Sequence, residues 1–177
     1  MKTNIVLIGM TGSGKTSIGE LLSQQLTLPF RDMDLFIEQI TLQSIPELFE
    51  VSEAHFRAIE TKACKTLAAK ETHTVISCGG GVVLQPENIQ ALSETGWIVF
   101  IDRPVEHIIE DIIIGHRPLL KEGVNKLYQL YEERIDLYRS AADFRVENQT
   151  TLDDVLNQIK EQLPETIASV WKEGSKK

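Results

Sequence analysis

The sequence predicts an α/β fold, a three-layer α/β/α arrangement in which helices cover both faces of a five-stranded parallel sheet. Strand-like runs alternate with helical patterns along the chain. Such alternation produces parallel sheets with helices on both faces. The runs Ile5–Ile8 and Trp97–Ile101 are continuously apolar, as expected of strands that are buried on both faces. Ligands of such sheets bind beyond the carboxyl ends of the strands.

The first half of the chain carries three predicted strands and four predicted helices. Residues 15–26 place leucine and isoleucine at helical spacing, and Pro29 ends that pattern. Pro46 lies in the first turn of a short helix, where proline is tolerated. Residues 52–69 place apolar side chains on one helical face. The predicted strands are 5–8, 30–32 and 74–77, and the predicted helices are 15–26, 35–40, 45–49 and 52–69.

The second half continues the alternation with two further strands. Pro86 begins a helix, and Thr151 with the following aspartates begins another in the manner of a capping box. We expect the tail, about residues 165–177, to be frayed. The predicted strands are 97–101 and 144–146, and the predicted helices are 86–92, 104–113, 125–140 and about 150–164.

Bulk properties predict one globular domain over residues 1–177, because no Pro/Gly/Ser-rich linker divides the chain. The net charge of −8 argues against nucleic acid and anionic membranes as partners, since both attract basic surfaces. Cys64 and Cys78 are too few for a disulfide framework and form no metal-binding pattern. With no leader or membrane span evident, we expect a cytoplasmic location. We also expect a monomer.

Gly9 to Thr16 match the pattern G-x-x-x-x-G-K-[ST] between the first strand and the first helix. Glycines allow successive backbone N–H groups to approach a phosphate without obstruction by Cβ atoms. Lys15 then reaches the β- and γ-phosphates, and the Thr16 hydroxyl binds Mg²⁺. A glycine-rich turn without a ligand would not require Lys and Thr at these positions. The segment therefore predicts binding of a nucleoside triphosphate.

Asp32 and Asp34 follow the second strand, and both can face the cleft at the end of the sheet. Phosphoryl transfer needs a carboxylate near Mg²⁺ and a group that orients or deprotonates the acceptor hydroxyl. The alternative is that Asp34 caps the next helix and Asp32 is solvated. The phosphate loop favours the functional interpretation.

Three consecutive glycines, Gly79 to Gly81, follow the third strand. Their conformational entropy cost indicates a close approach of backbone to a ligand, although a flexible turn is the alternative. Arg57 lies beside the apolar stripe of its helix, and Arg134 begins the second half of the long helix. Arg117 lies in a Gly/Pro-marked segment between helices, where a lid could bring it onto the phosphates.

The ordered set of motifs resembles the shikimate kinase family over about residues 1–160. The resemblance implies a P-loop NTPase fold of the nucleoside monophosphate kinase type. It also implies transfer of the ATP γ-phosphate to the 3-hydroxyl of shikimate, in aromatic amino-acid biosynthesis. The segments that carry it are Gly9–Thr16, Asp32–Glu38, Phe56–Glu60, Gly79–Gly81, Arg117–Leu120 and Arg134–Tyr138.

On the nucleotide side, the resemblance implies that the loop holds the phosphates of ATP and that Lys15 is catalytic. Thr16 would coordinate Mg²⁺, with Asp32 contributing through water. Arg117, in a lid of about residues 111–122, would bind ATP and neutralise charge on the transferred group. The implied phosphate-binding residues are Gly12, Ser13, Gly14, Lys15, Thr16 and Ser17.

On the acceptor side, the resemblance implies that Asp34 binds the acceptor hydroxyls and is the candidate base. Arg57 and Arg134 would hold the shikimate carboxylate. Arginine forks and an aspartate are suitable partners for a carboxylate that carries ring hydroxyls. The residues implied to lie behind the ring are Gly79, Gly80 and Gly81.

Two other functions compete with this interpretation. One is phosphorylation of another small metabolite, such as gluconate or a nucleotide, although few arginines are available for a second nucleotide. The other is a regulatory module that binds ATP without catalysis, against which the paired aspartates and the arginines argue. Asp102 follows a hydrophobic run, as the Mg²⁺-binding aspartate of many NTPases does, but Arg103-Pro104 follow it, and we interpret it as a helix cap.

Overall fold

A five-stranded parallel sheet forms the centre of the computed structural model, which describes residues 1–114 and 121–174. The strand order is β2-β3-β1-β4-β5, so the first strand lies in the middle. This confirms the predicted fold class. The strands are β1 (Asn4–Ile8), β2 (Phe30–Asp32), β3 (Val75–Ser77), β4 (Gly96–Asp102) and β5 (Phe144–Glu147).

Helices connect the strands and cover both faces of the sheet. A short 3₁₀ helix, Val82–Leu84, lies between β3 and the next helix. Within residues 1–114 and 121–174, no helix is both long and apolar enough to cross a membrane. The helices are α1 (Lys15–Leu26), α2 (Met33–Thr41), α3 (Ile45–Val51), α4 (Glu53–Lys70), α5 (Pro86–Thr95), α6 (Val105–Ile114), α7 (Lys121–Ala141), α8 (Leu152–Glu161) and α9 (Glu165–Gly174).

Alternate residues of β1 belong to two separate cores, one on each face of the sheet. Ile5 and Leu7 pack with side chains from α1, α8 and α9. Val6 and Ile8 pack on the opposite face with side chains from α2 to α7. Successive side chains of a strand point to opposite faces, which explains why this strand is apolar throughout. Both faces fix the position of its carboxyl end, where the phosphate loop begins.

Serine side chains cap the N-termini of α3 and α4. Ser44 and Glu47 form a reciprocal capping box at the start of α3. The Ser52 hydroxyl accepts a hydrogen bond from the His55 N–H and caps α4. These caps fix the first turns of two consecutive helices and therefore the entry of α4, which carries Arg57.

The C-terminal segment differs from its prediction. Instead of a frayed tail from about residue 165, residues Glu165–Gly174 form α9. Ile167 is completely buried in the α1/α8 core, and the Thr166 hydroxyl donates to the Lys2 carbonyl over 2.5 Å. The apolar side chains of this helix join a core built from distant parts of the chain, which the local polarity of the tail does not reveal.

Asp102 at the end of β4 is held by side chains. Its carboxylate accepts from Arg145 on the adjacent strand, over 2.8 Å from Nε, and from the Tyr131 hydroxyl over 3.4 Å. Asp102 is 5% exposed. The helix-cap interpretation is replaced by an ion pair between two neighbouring strands.

Candidate active site

The phosphate loop connects the centre of the sheet to α1. Gly12 and Gly14 have φ values of 81° and 95°, in the left-handed region that favours glycine. Gly14 is the N-cap of α1 and offers no side-chain hydrogen bond to the first turn, which also contains no acidic residue. The N–H groups at this helix start are therefore suited to an anionic ligand.

Lys15 lies under the loop and is 7% exposed. Its ammonium group donates to the carbonyls of Gly9 and Met10 over 2.8 and 2.7 Å. Burial lowers the pKa of Lys15 to about 8, and the nearby Asp34 and Asp32 carboxylates oppose this shift. A positive charge at this position is therefore costly until an anion arrives.

Asp32 joins the second strand to the loop and to α2. Its Oδ2 accepts from the Thr16 hydroxyl over 3.0 Å, and the Ser77 hydroxyl lies 3.5 Å from the same Thr16 oxygen. Its Oδ1 accepts from the N–H groups of Asp34 and Leu35 and caps α2. The alternative interpretation, in which Asp34 caps α2 and Asp32 is solvated, is therefore wrong, because Asp32 provides the cap.

Asp34 is left free of capping and lies at the border between the loop and the glycine triplet. Burial and the nearby Asp32 carboxylate raise the pKa of Asp34, while Lys15 and Arg57 act in the opposite direction. A Cβ atom on Gly79 would be 3.0 Å from its Oδ1. The carboxylate is thus placed in direct contact with the backbone that follows β3.

Arg57 projects from α4 and is held by two carboxylates. It donates to Glu60 over 2.8 Å and to Glu53 over 3.3 Å. Its guanidinium carbon lies 5.1 Å from the ring centroid of Phe56. Glu60 is 1% exposed, and burial raises its pKa although the hydrogen bond from Arg57 lowers it. The pair fixes one face of Arg57.

The glycine triplet packs against three different parts of the site. A Cβ atom on Gly80 would be 2.7 Å from the Thr11 hydroxyl, in the phosphate loop. A Cβ atom on Gly81 would overlap the guanidinium of Arg57. The Tyr138 hydroxyl donates to the Gly80 carbonyl, and burial raises the pKa of this tyrosine to about 12. The segment is therefore a tightly packed wall and not a flexible turn.

Side chains from these segments line one cavity of about 270 Å³. Arg134 reaches it from α7, and its Nε is buried without a hydrogen-bond partner among the described residues. The cavity is lined by Thr11, Asp34, Ile45, Phe49, Phe56, Arg57, Glu60, Gly79, Gly80, Gly81, Leu130 and Arg134. The structure therefore brings the predicted acceptor-binding residues together beside the phosphate loop.

Arg117 lies outside the described residues, as do residues 115–120 of the predicted lid. Glu60 and Ser77 were not selected from the sequence. The only local signal for Glu60 is its i+3 spacing from Arg57 on one helix. Ser77 lies near Thr16 because β3 lies between β1 and β2 in the sheet, and a single sequence does not display this strand order.

A parallel sheet whose central first strand leads through this loop into a helix, beside a pocket lined with arginines, defines a small P-loop kinase. Comparison with known proteins gives the particular family. The family model described as shikimate kinase matches residues 11–164. A shikimate kinase of Clostridium beijerinckii is 50% identical over 161 residues, covering 91% of this chain and 95% of that protein. One of Aquifex aeolicus is 39% identical over 157 residues, covering 88% and 92%.

Solved structures agree with the sequence matches. A shikimate kinase from Acinetobacter baumannii, in complex with shikimate, has a TM-score of 0.81 and 33% identity, covering 96% of this chain and 94% of that chain. A gluconokinase from Sinorhizobium meliloti has a TM-score of 0.61 at 14% identity, covering 98% and 94%, and shares the fold alone. The chain belongs to the shikimate kinase family. It is an ATP-using transferase with shikimate kinase activity, in aromatic amino-acid biosynthesis.

Proposed function

We propose that this site transfers the γ-phosphate of ATP to the 3-hydroxyl of shikimate. One observation carries the proposal: Asp34, Arg57 and Arg134 line a single cavity whose wall includes Thr11 of the phosphate loop. An acceptor in that cavity lies next to the group that holds the donor. Proximity of this kind supplies much of the rate in phosphoryl transfer.

On the donor side, the loop from Gly12 to Ser17 holds the phosphates at the start of α1. Lys15 exchanges its carbonyl partners for phosphate oxygens, or shares its protons between them, and stabilises negative charge. Arg117 remains a sequence-based assignment to the same phosphates. The bound phosphates thereby supply the negative counter-charge that favours the buried ammonium group of Lys15.

The residues around Thr16 fit Mg²⁺, which prefers oxygen ligands and retains several waters in phosphate sites. Thr16 offers a hydroxyl, and Asp32 offers Oδ2 because its Oδ1 is engaged in capping α2. In the parts of the chain that the structure describes, no cluster of three or more His, Cys, Asp or Glu residues forms a self-sufficient metal site. Mg²⁺ held there would supply neutralisation of phosphate charge.

On the acceptor side, Arg57 and Arg134 bind the carboxylate of shikimate. Arg57 is held in place before substrate arrives, because Glu60 and Phe56 fix its guanidinium. Arg134 brings a buried N–H group with no partner among residues 1–114 and 121–174, which a carboxylate oxygen satisfies. The glycine triplet forms one wall of the cavity and limits how deeply the shikimate ring enters it.

Asp34 orients the 3-hydroxyl and accepts its proton as the oxygen attacks the γ-phosphorus. The bond from that phosphorus to the β,γ-bridging oxygen breaks, and ADP leaves with the electron pair. Burial raises the pKa of Asp34 and makes it a stronger base than an exposed aspartate. The positive charge of Lys15 opposes this rise in the pKa of Asp34.

A coupled ADP-release assay tests the proposal with shikimate beside quinate, gluconate and nucleoside monophosphates. We expect acceptor-dependent ADP release with shikimate and a far lower kcat/KM with the others. Folded protein that turns over gluconate or a nucleotide in preference to shikimate would overturn it. Phosphorus NMR of the product, compared with synthetic shikimate 3-phosphate, tests the position of transfer.

We further propose that residues 1–177 act as one kinase domain and as a monomer, since the assigned side chains all come from one chain. We also propose a cytoplasmic location, where ATP is available. Light scattering and cell fractionation test the two statements. A dimer whose activity falls on dilution to monomer would contradict the first.

A further inference from the structure

Asn148 is a buried polar residue that the proposed mechanism does not use. It follows β5 directly and is 4% exposed. Its side-chain amide donates to the Ser13 carbonyl in the phosphate loop over 2.9 Å. A Cβ atom on Gly14 would lie 2.9 Å from the same Nδ2 atom. The amide therefore contacts the Ser13–Gly14 peptide from outside the loop.

The backbone of Asn148 is also fixed. Its N–H donates to the Asp102 carbonyl over 2.7 Å, and its own carbonyl accepts from Arg103 Nη1 over 3.1 Å. Arg103 Nη2 donates in turn to Asp111 of α6 over 2.7 Å. The side chain of Asn148 thus starts from an anchored position, and its amide has one orientation toward the loop.

The contact determines the direction of one peptide unit. In a trans peptide the C=O and the following N–H point in opposite directions, and no peptide bond in the described chain is cis. With the Ser13 carbonyl held toward Asn148, the Gly14 N–H points away from it. Gly14 has φ of 95°, so its own backbone has the freedom to rotate this peptide.

We propose that Asn148 is a positioning residue that orients the Gly14 N–H toward the phosphates of the nucleotide. The inference rests on the proposed role of the loop as the phosphate site. It assigns to Asn148 an effect on phosphate affinity and no contact with the ligand.

Asn148→Ala and Asn148→Asp test the proposal, because both remove the amide donor and only one adds charge. The readouts are binding of ATP, of tripolyphosphate and of adenosine, each measured by calorimetry. Losing or misdirecting one hydrogen bond to a charged group costs roughly 10- to 100-fold in affinity. We expect both variants to lose that factor for ATP and tripolyphosphate, with adenosine binding unchanged.

Asn4→Asp is the matched control. Asn4 is also completely buried, and its amide donates to the Glu71 carbonyl over 2.8 Å at the opposite end of β1. We expect it to lower stability without changing the affinity for any of the three ligands. This separates a general loss of packing from a change in the loop.

Equal losses for adenosine and tripolyphosphate, or wild-type tripolyphosphate affinity in folded Asn148 variants, would overturn the inference. If the wild-type protein itself fails to bind tripolyphosphate, the phosphate site is wrong and not only the role of Asn148. Should both Asn148 variants fail to fold, Arg103→Gln loosens the Asn148 carbonyl and must show the same selective loss. A uniform loss in that variant contradicts the proposal.

Discussion

Gly81→Ala separates the position of Arg57 from the stability of the fold. Gly81 has φ of −92° and ψ of 2°, which alanine adopts without backbone strain. Its new Cβ would lie 2.5 Å from Nη2 and 2.7 Å from Cζ of Arg57. Ordinary contact needs about 3.5 Å, so the guanidinium must move by about 1 Å. That movement pulls it from Glu60, which now accepts over 2.8 Å.

A displacement of this size at a substrate-holding group costs about 100-fold in kcat/KM. We expect that loss when shikimate is varied at saturating ATP, and less than about a threefold change in the KM for ATP, since the loop is untouched. The free energy of unfolding should change by less than about 2 kcal/mol in urea titrations. Wild-type kcat/KM for shikimate in folded Gly81→Ala would show that the position of the Arg57 guanidinium does not limit catalysis.

Gly96→Ala is the control for this comparison. Its Cβ would lie 2.5 Å from the Leu92 carbonyl and 2.5 Å from Val6 Cγ2, at the start of β4 and away from the cavity. We expect a loss of stability without a selective change in kcat/KM for shikimate. An equal catalytic loss in both variants would mean that overpacking alone reduces activity.

Three further predictions concern charge. Burial lowers the pKa of Lys15 to about 8, so the cation that binds phosphate is lost as pH rises through that value. The kcat/KM for ATP should therefore fall near pH 8. A pH profile of kcat/KM that stays flat to about pH 10 would contradict this prediction. Asp34→Asn removes the base and should lower kcat/KM for shikimate at least about 100-fold at unchanged melting temperature, with activity near wild type as the contrary result. Asp102→Ala removes the buried carboxylate that accepts from Arg145 and Tyr131, although Arg145 keeps its pairing with Glu147, and should cost about 1 kcal/mol of unfolding free energy in urea titrations. Its Mg²⁺ dependence should match the wild type, and a selective loss of Mg²⁺ activation would restore Asp102 as a metal-site residue.

Local patterns predicted the strands and their common edge well. The five runs identified from apolar periodicity all form strands, with bounds that differ by at most a residue or two. The convergence of the loop, Asp32 and the glycine triplet followed from parallel topology alone. The signal is strongest in β1, β3 and β4, because these inner strands are buried on both faces, whereas the edge strands β2 and β5 are only partly buried.

Long-range pairing explains what the sequence did not reveal. Local spacing does not decide which of Asp32 and Asp34 caps the helix; Asp32 is the cap because α2 begins at Met33, and the position of Thr16 across the cleft makes its other oxygen the hydroxyl acceptor. Asn148 contacts Ser13 across 135 positions, a separation for which a single sequence carries no pattern. The fold of α9 likewise depends on a core formed by α1 and α8.

Carboxylate recognition by Arg57 tests the site assignment most directly. The measurement compares kcat/KM for shikimate and for its methyl ester, in the wild type and in Arg57→Ala. We expect a roughly 10- to 100-fold preference for the acid in the wild type, because an arginine bonds a charged group. This preference should fall clearly in Arg57→Ala, where Arg134 alone remains to hold the carboxylate. The same preference in both proteins would contradict the assignment of Arg57, because the carboxylate would then be held elsewhere.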